Sequence, residues 1–111
     1  MSYTEIFKLK EMLEEAKIPF IFKNRSFKID SWIREDYQIE YPDTYGKGRV
    51  CSVVEGVGTY GNEQDLLEIM GLLTPEEEKE NGVAGWLTAE DVFDRVKEHF
   101  ESKKVRYNNA T

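Results

Sequence analysis

Gly56-Val57-Gly58-Thr59-Tyr60-Gly61 spells G-x-G-x-x-G after an apolar run. In a dinucleotide-binding fold that spacing seats a pyrophosphate on a helix N-terminus. Three features count against phosphate chemistry here. The segment from Thr74 to Gly82 reads as a helix where a parallel second strand is needed. Glu63 and Asp65 put carboxylates where phosphate charge would sit. The loop also follows residues 1–55, whereas the fingerprint usually opens its domain. The glycines therefore read as a connection that needs positive φ or close backbone approach. Cys51 and His99, the only cysteine and the only histidine, are the residue types of a thiolate–imidazole pair. Cys51, however, lies among Val50, Val53 and Val54, the setting of a small buried hydrophobe. His99 falls near a helix C-terminus, where an imidazolium is stabilised. One cysteine and one histidine permit neither an internal disulfide nor a closed zinc site. Asp30, Glu35, Asp36 and Glu40 offer oxygen ligands, without the spacing of a calcium loop. No catalytic, cofactor-binding or metal-ligating residue is assigned, and no cofactor is expected.

Two other groupings point to binding. Trp32, Tyr37, Tyr41, Tyr45 and Tyr60 cluster in the strand and loop region and form the candidate protein interface. Trp86, between Gly85 and Leu87, reads instead as a core plug. Charge is the second grouping. The chain carries a net -7, but residues 1–50 balance nine acidic against nine basic side chains. Residues 51–102 hold thirteen acidic residues against Lys79, Arg95 and Lys97, and Lys103, Lys104 and Arg106 follow. So acidic a half repels phosphates, and direct nucleic-acid binding is not expected. Glu76, Glu77, Glu78 and Glu80 form the candidate acidic face: a solvated surface, or a negative face for a basic partner.

The elements that must position these groups follow from periodicity and caps. Ser2-Tyr3-Thr4-Glu5 fits a capping box, and Ile6, Leu9, Leu13 and Ala16 form the stripe of a helix over residues 3–17, stopped by Pro19. From there the period is two. Phe20 to Lys23, Asp36 to Tyr41 and Arg49 to Glu55 read as an antiparallel meander, the last strand central, and Phe27 to Asp30 either continues the first strand or begins a second. Asn62 is expected to cap a helix whose apolar face is Leu66, Leu67, Ile69, Met70 and Leu73. Thr74-Pro75-Glu76-Glu77 starts a short helix that ends near Asn81-Gly82. Thr88 caps the last helix, with Asp91 completing the box and Leu87 facing Val92 as a staple. Asn108 to Thr111 should fray. The chain, residues 1–111, is thus expected to be a single α+β domain. Its antiparallel sheet has three to four strands, with an N-terminal helix and two to three C-terminal helices on one face. No apolar run approaches the ~18–20 residues of a membrane span, so no membrane partner is expected.

Three stretches together carry a family resemblance. They are Tyr37-Gln38-Ile39-Glu40-Tyr41-Pro42; Arg49 to Glu55 with Gly58-Thr59-Tyr60-Gly61; and Asp65 to Thr74 with Gly85-Trp86-Leu87-Thr88-Ala89-Glu90-Asp91-Val92-Phe93. They resemble a group of small uncharacterised proteins encoded in phages and prophage-like elements of low-GC Gram-positive bacteria. The resemblance spans roughly residues 5–100 and carries no catalytic assignment. It implies a bacterial-cytoplasm setting and an accessory role in a mobile element, with which a lone cysteine agrees. The expectation is a non-enzymatic accessory protein that acts by protein–protein binding or regulation, with a homodimer among the arrangements an open sheet face allows. The alternative is an acidic mimic of nucleic acid that inhibits a host nuclease or DNA-binding protein.

Overall fold

The computed structural model describes residues 3–109, and the side chains of residues 3–103. The elements are α1 (Thr4–Glu15), β1 (Ile21–Asn24), β2 (Phe27–Ile29), β3 (Trp32–Arg34), β4 (Asp36–Tyr41), β5 (Cys51–Gly56), β6 (Leu67–Met70), α2 (Pro75–Glu80), β7 (Ala84–Leu87) and α3 (Ala89–Asn109). β1, β4, β5, β6 and β7 form one antiparallel sheet in that order, so each strand lies beside the next one joined to it. The fold is α+β, with more strand than the three or four expected.

Alternation sorts the sheet into two faces. Tyr37, Ile39 and Tyr41 of β4, Cys51 and Val53 of β5, and Leu67 and Ile69 of β6 are buried in one core. The apolar stripe of α1 (Ile6, Leu9, Leu13) and Val92 and Val96 of α3 join the same core. The opposite face of β4 and β5 is polar where it is buried. There Gln38 donates to Ser52 Oγ at 2.8 Å and accepts from Arg25 at 3.2 Å. The buried Glu40 carboxylate pairs with Lys23, and with Arg49 at 3.6 Å. The Lys23 ammonium, then Arg49, hold Glu40 below the usual carboxylate range against its burial.

Three local readings are corrected. Residues 66–73 do not form a helix: Asn62–Gln64 make a single 3-10 turn and Leu67–Met70 is strand β6. Leu67 and Ile69 point into the core while Met70 points out, a period of two that a short apolar run also allows. Gly61 and Gly71, both at positive φ, bracket that strand. A Cβ on Gly71 would lie 2.2 Å from the Val50 carbonyl oxygen. Secondly, Trp86 is no core plug. It lies in β7 at φ 55° and is 58% exposed. Thirdly, α2 buries no residue; it is tied to the body by Arg95 and not by an apolar face.

The helix starts are wired across the molecule. Tyr3, without a side-chain cap, precedes α1, and Ser2 lies outside the described residues. The first amides of α1 are satisfied from afar: Asp65 accepts from Thr4 N–H at 3.2 Å, from the Thr4 hydroxyl and from Glu5 N–H at 3.3 Å. Glu5 itself reaches Ala89 N–H at 2.8 Å, capping α3 and not its own helix. Thr74 caps α2 as expected, with Glu77 completing a box there, and the expected Thr88/Asp91 box forms. α3 runs on through Asn108 to Asn109, while Ala110 and Thr111 lie outside the described residues. No helix among the described residues is long and apolar enough to cross a membrane.

Candidate functional site

β1 and β4 do not end where the sheet ends. Asn24 pairs with Tyr37, and after Arg25 and Ser26 the same register resumes with Phe27 opposite Arg34, Lys28 opposite Ile33 and Ile29 opposite Trp32. Asp30, at φ 55°, and Ser31 form the two-residue turn that closes this ribbon. β2 and β3 are therefore the outer half of one long hairpin, an arm of residues 27–34 that leaves the sheet beyond the end of β5. At the opposite end of β4, Tyr41 meets His99 on α3, in a molecule measuring 57 × 29 × 24 Å.

Every residue of the arm strands is exposed, and four of them are large and apolar: Phe27, Ile29, Trp32 (72% exposed) and Ile33 (70%). Phe27, Ile29 and Trp32 lie on one side of the ribbon and Ile33 on the other, so apolar side chain on the order of 500 Å² in all is spread over both faces of the arm. A cleft of about 350 Å³ lies at the arm's root, between Trp32, Ile33 and Arg34 on one side and Tyr3 and Val57 on the other. Lys28 and Arg34 add positive charge, with Asp30 at the tip.

The five expected interface aromatics do not share one surface. Trp32 is on the arm, and Tyr45, 83% exposed, is in the β4–β5 loop. Tyr37 and Tyr41 are core residues, 8% and 3% exposed. Tyr37 packs against Tyr3, Phe7 and Phe22, with ring centroids 5.6, 4.9 and 6.1 Å away. Tyr41 hydroxyl and His99 Nδ1 share a hydrogen bond of 2.8 Å. Tyr60 stacks on Trp86 at 5.5 Å between centroids, a pair far along the chain from the arm. Gly85 permits that contact, since a Cβ there would lie 2.3 Å from Tyr60 Cβ. Phe27, Ile29 and Ile33 of the arm are outside the expected set; their signal lies in apolar residues on both sides of Asp30-Ser31, a turn in a short apolar ribbon.

The reactive side chains have other occupations. Burial pushes the Cys51 thiol up to about 12, so the thiolate that nucleophilic chemistry needs is not formed near neutral pH. Cys51 lies opposite Tyr41 in the sheet register, and Tyr41, not Cys51, holds the His99 ring. Glu55, fully buried, accepts from Ile6 N–H through Oε1 at 3.2 Å. Its Oε2 has no donor, and burial followed by the neighbouring Asp65 raises this carboxyl to about 9. At neutral pH Glu55 is thus the protonated acid, burial first and then the Asp65 carboxylate disfavouring its charge. Asp65 stays ionised and below its ordinary range: against its partial burial, bonds from Glu55, Thr4 and Glu5 favour the anion. On α2, Glu77 turns inward to Arg95, at 2.8 and 2.9 Å, and into the Thr74 cap. The guanidinium holds it down at about 2. The candidate acidic face is thereby reduced to Glu76, Glu78 and Glu80, which are exposed. Among the described residues no cluster of three or more His, Cys, Asp or Glu is arranged to hold a metal ion.

The G-x-G-x-x-G stretch forms the β5–β6 connection, with Gly58 and Gly61 at positive φ and a shallow cleft of about 380 Å³ beside it. The connection leads into the single 3-10 turn Asn62–Gln64 and then β6, not into the α-helix on which the fingerprint seats a pyrophosphate. Comparison with protein-family models, curated proteins and solved structures finds no match to this chain.

Proposed function

We propose that this chain is a non-enzymatic interaction protein of phage or prophage type, working in the bacterial cytoplasm, and that the arm is its contact element. The observation that carries the reading is the arm itself: four large apolar side chains within residues 27–34, exposed on a ribbon that the core does not cover. Exposure of that extent costs solubility and is kept where a partner covers it. The way the polar groups are spent supports the same reading. The thiol is buried, the imidazole is hydrogen-bonded to Tyr41, Glu55 serves the start of α1, and Glu77 holds α2.

The test is site-specific cross-linking. A photo-reactive amino acid replaces Trp32 in one preparation and the still more exposed Tyr45 in another, and both are irradiated in a bacterial host lysate. Discrete protein adducts at position 32 and not at 45 are expected. The same adducts at both positions, or none at 32, would overturn the reading. If instead the carboxylates of Glu76, Glu78 and Glu80 carried binding, capture would vanish at high salt and after their charge reversal.

A further inference from the structure

We propose that the arm pairs with the arm of a second copy of this chain, edge to edge along β3, about a two-fold axis that passes through Ile33. The inference rests on reading the arm as the contact element and names its partner.

Backbone polarity selects the edge. Arg25 N–H donates to Asp36 carbonyl at 2.7 Å, so residues 25 and 36 are a bonded pair within the ribbon. The register makes Phe27/Arg34 and Ile29/Trp32 bonded pairs too, by antiparallel alternation. The amide and carbonyl of Ile33 therefore point away from β2. They point to the side on which Tyr41 carbonyl accepts from Val50 N–H at 2.9 Å, the side of β5. β5 ends at Gly56, opposite Asp36; Val57 and Tyr3 border the cleft there, and among the described residues no strand pairs with that edge of β3. That free edge is a template for one more antiparallel strand.

Side-chain chemistry selects a second copy as that strand. With the axis at Ile33, the two Ile33 residues exchange both backbone hydrogen bonds, and each Trp32 lies opposite the other copy's Arg34. These are an apolar pair and a cation–aromatic pair, each made by symmetry. Pairing the other edge, centred on Lys28, would set two ammonium groups against each other. Charge favours the arrangement on a larger scale as well. The arm carries Lys28 and Arg34 against Asp30, whereas the chain as a whole is at -7. Arm-to-arm pairing keeps two acidic bodies at opposite ends of the dimer. Insertion of the arm in a lipid surface is disfavoured, because Asp30 at the tip would go deepest.

Light scattering and sedimentation equilibrium on the full chain test the proposal. Wild type should be a dimer that dissociates on dilution. Ile33→Pro removes the outward amide and no bond of the ribbon, and should weaken the dimer at least about tenfold with an unchanged circular-dichroism melt. In a Cys51→Ser background, oxidised Ile33→Cys should cross-link two chains, since bonded pairs place Cα atoms about 5.5 Å apart, within disulfide range. Lys28→Cys should not. A monomeric wild type, a dimer indifferent to Ile33→Pro, or equal cross-linking at positions 28 and 33 would overturn the pairing. A monomer whose position 32 still captures a different protein, or that binds anionic phospholipid vesicles through the arm, also overturns the pairing. The former outcome leaves the proposed function standing; a monomer with no adduct at position 32 removes both.

Discussion

Ile33 and Ile39 lie on one continuous strand path, on the same side of the ribbon, yet Ile33 is 70% exposed and Ile39 1%. The difference is the second layer. Over Ile39 the sheet is covered by α1 and α3; at Ile33 the ribbon has passed the start of α1, and Tyr3 at the rim of a cleft is the nearest cover. Alternation decides which side of a strand a residue takes, but the extent of the covering helices decides whether that side is dry. The two sets of apolar residues should therefore answer differently to the same substitution.

The largest effect belongs to the covered side. Leu9→Ala should cost about 2–5 kcal/mol in unfolding free energy, because α1 cannot collapse into the space left at the centre of the core. A urea titration followed by circular dichroism measures it, and a loss below about 1 kcal/mol would contradict the layer assignment.

The next effect is a pH dependence that the arm should not share. Glu55 is raised from its ordinary value to about 9, so its contribution is fully present below the unfolded-state value near 4.5 and is lost as pH rises towards about 9. Stability should fall across that window, by at most about 1.4 kcal/mol per pH unit, the limit for one proton. Glu55→Gln keeps a neutral donor and should flatten the slope, whatever its absolute stability. An equal slope in the variant would place the titration elsewhere.

Smaller again is the tether of α2. Thr74→Ala removes one side of its capping box and should cost about 1 kcal/mol. Glu77, held down at about 2 chiefly by Arg95, contributes stability above about pH 4.5 that disappears as pH falls through its folded value. Glu77→Gln should therefore reduce acid sensitivity between pH 4 and 2 relative to wild type. Acid melts of the two proteins check this, and superimposable curves would contradict it.

Features that are local in sequence were legible in it. The stripe Ile6, Leu9, Leu13 is buried as its spacing implies, and the caps at Thr74 and Thr88 need only residues three positions away. What depended on distant partners was not. Asp65 caps a helix that starts at Thr4, and Glu5 caps one that starts at Ala89; no spacing along the chain displays either link. Leu66 to Leu73 satisfied a helical face and a strand equally until the sheet claimed Leu67 and Ile69. In the candidate site Trp32 was found because aromatics draw notice. Ile29 and Ile33 were passed over because an aliphatic residue in an alternating run resembles core. Tyr37 and Tyr41 erred the other way, being aromatics on the covered side.

The most direct test of the difference between the two regions is the urea midpoint of a variant carrying Phe27→Ser, Ile29→Ser, Trp32→Ser and Ile33→Ser, at a concentration where the chain is monomeric. Surface held for contact and not for folding predicts a loss within about 0.5 kcal/mol of wild type and the same denaturant slope. A loss as large as that of Leu9→Ala would mean that the arm belongs to the core, and the proposed contact surface would fall with it.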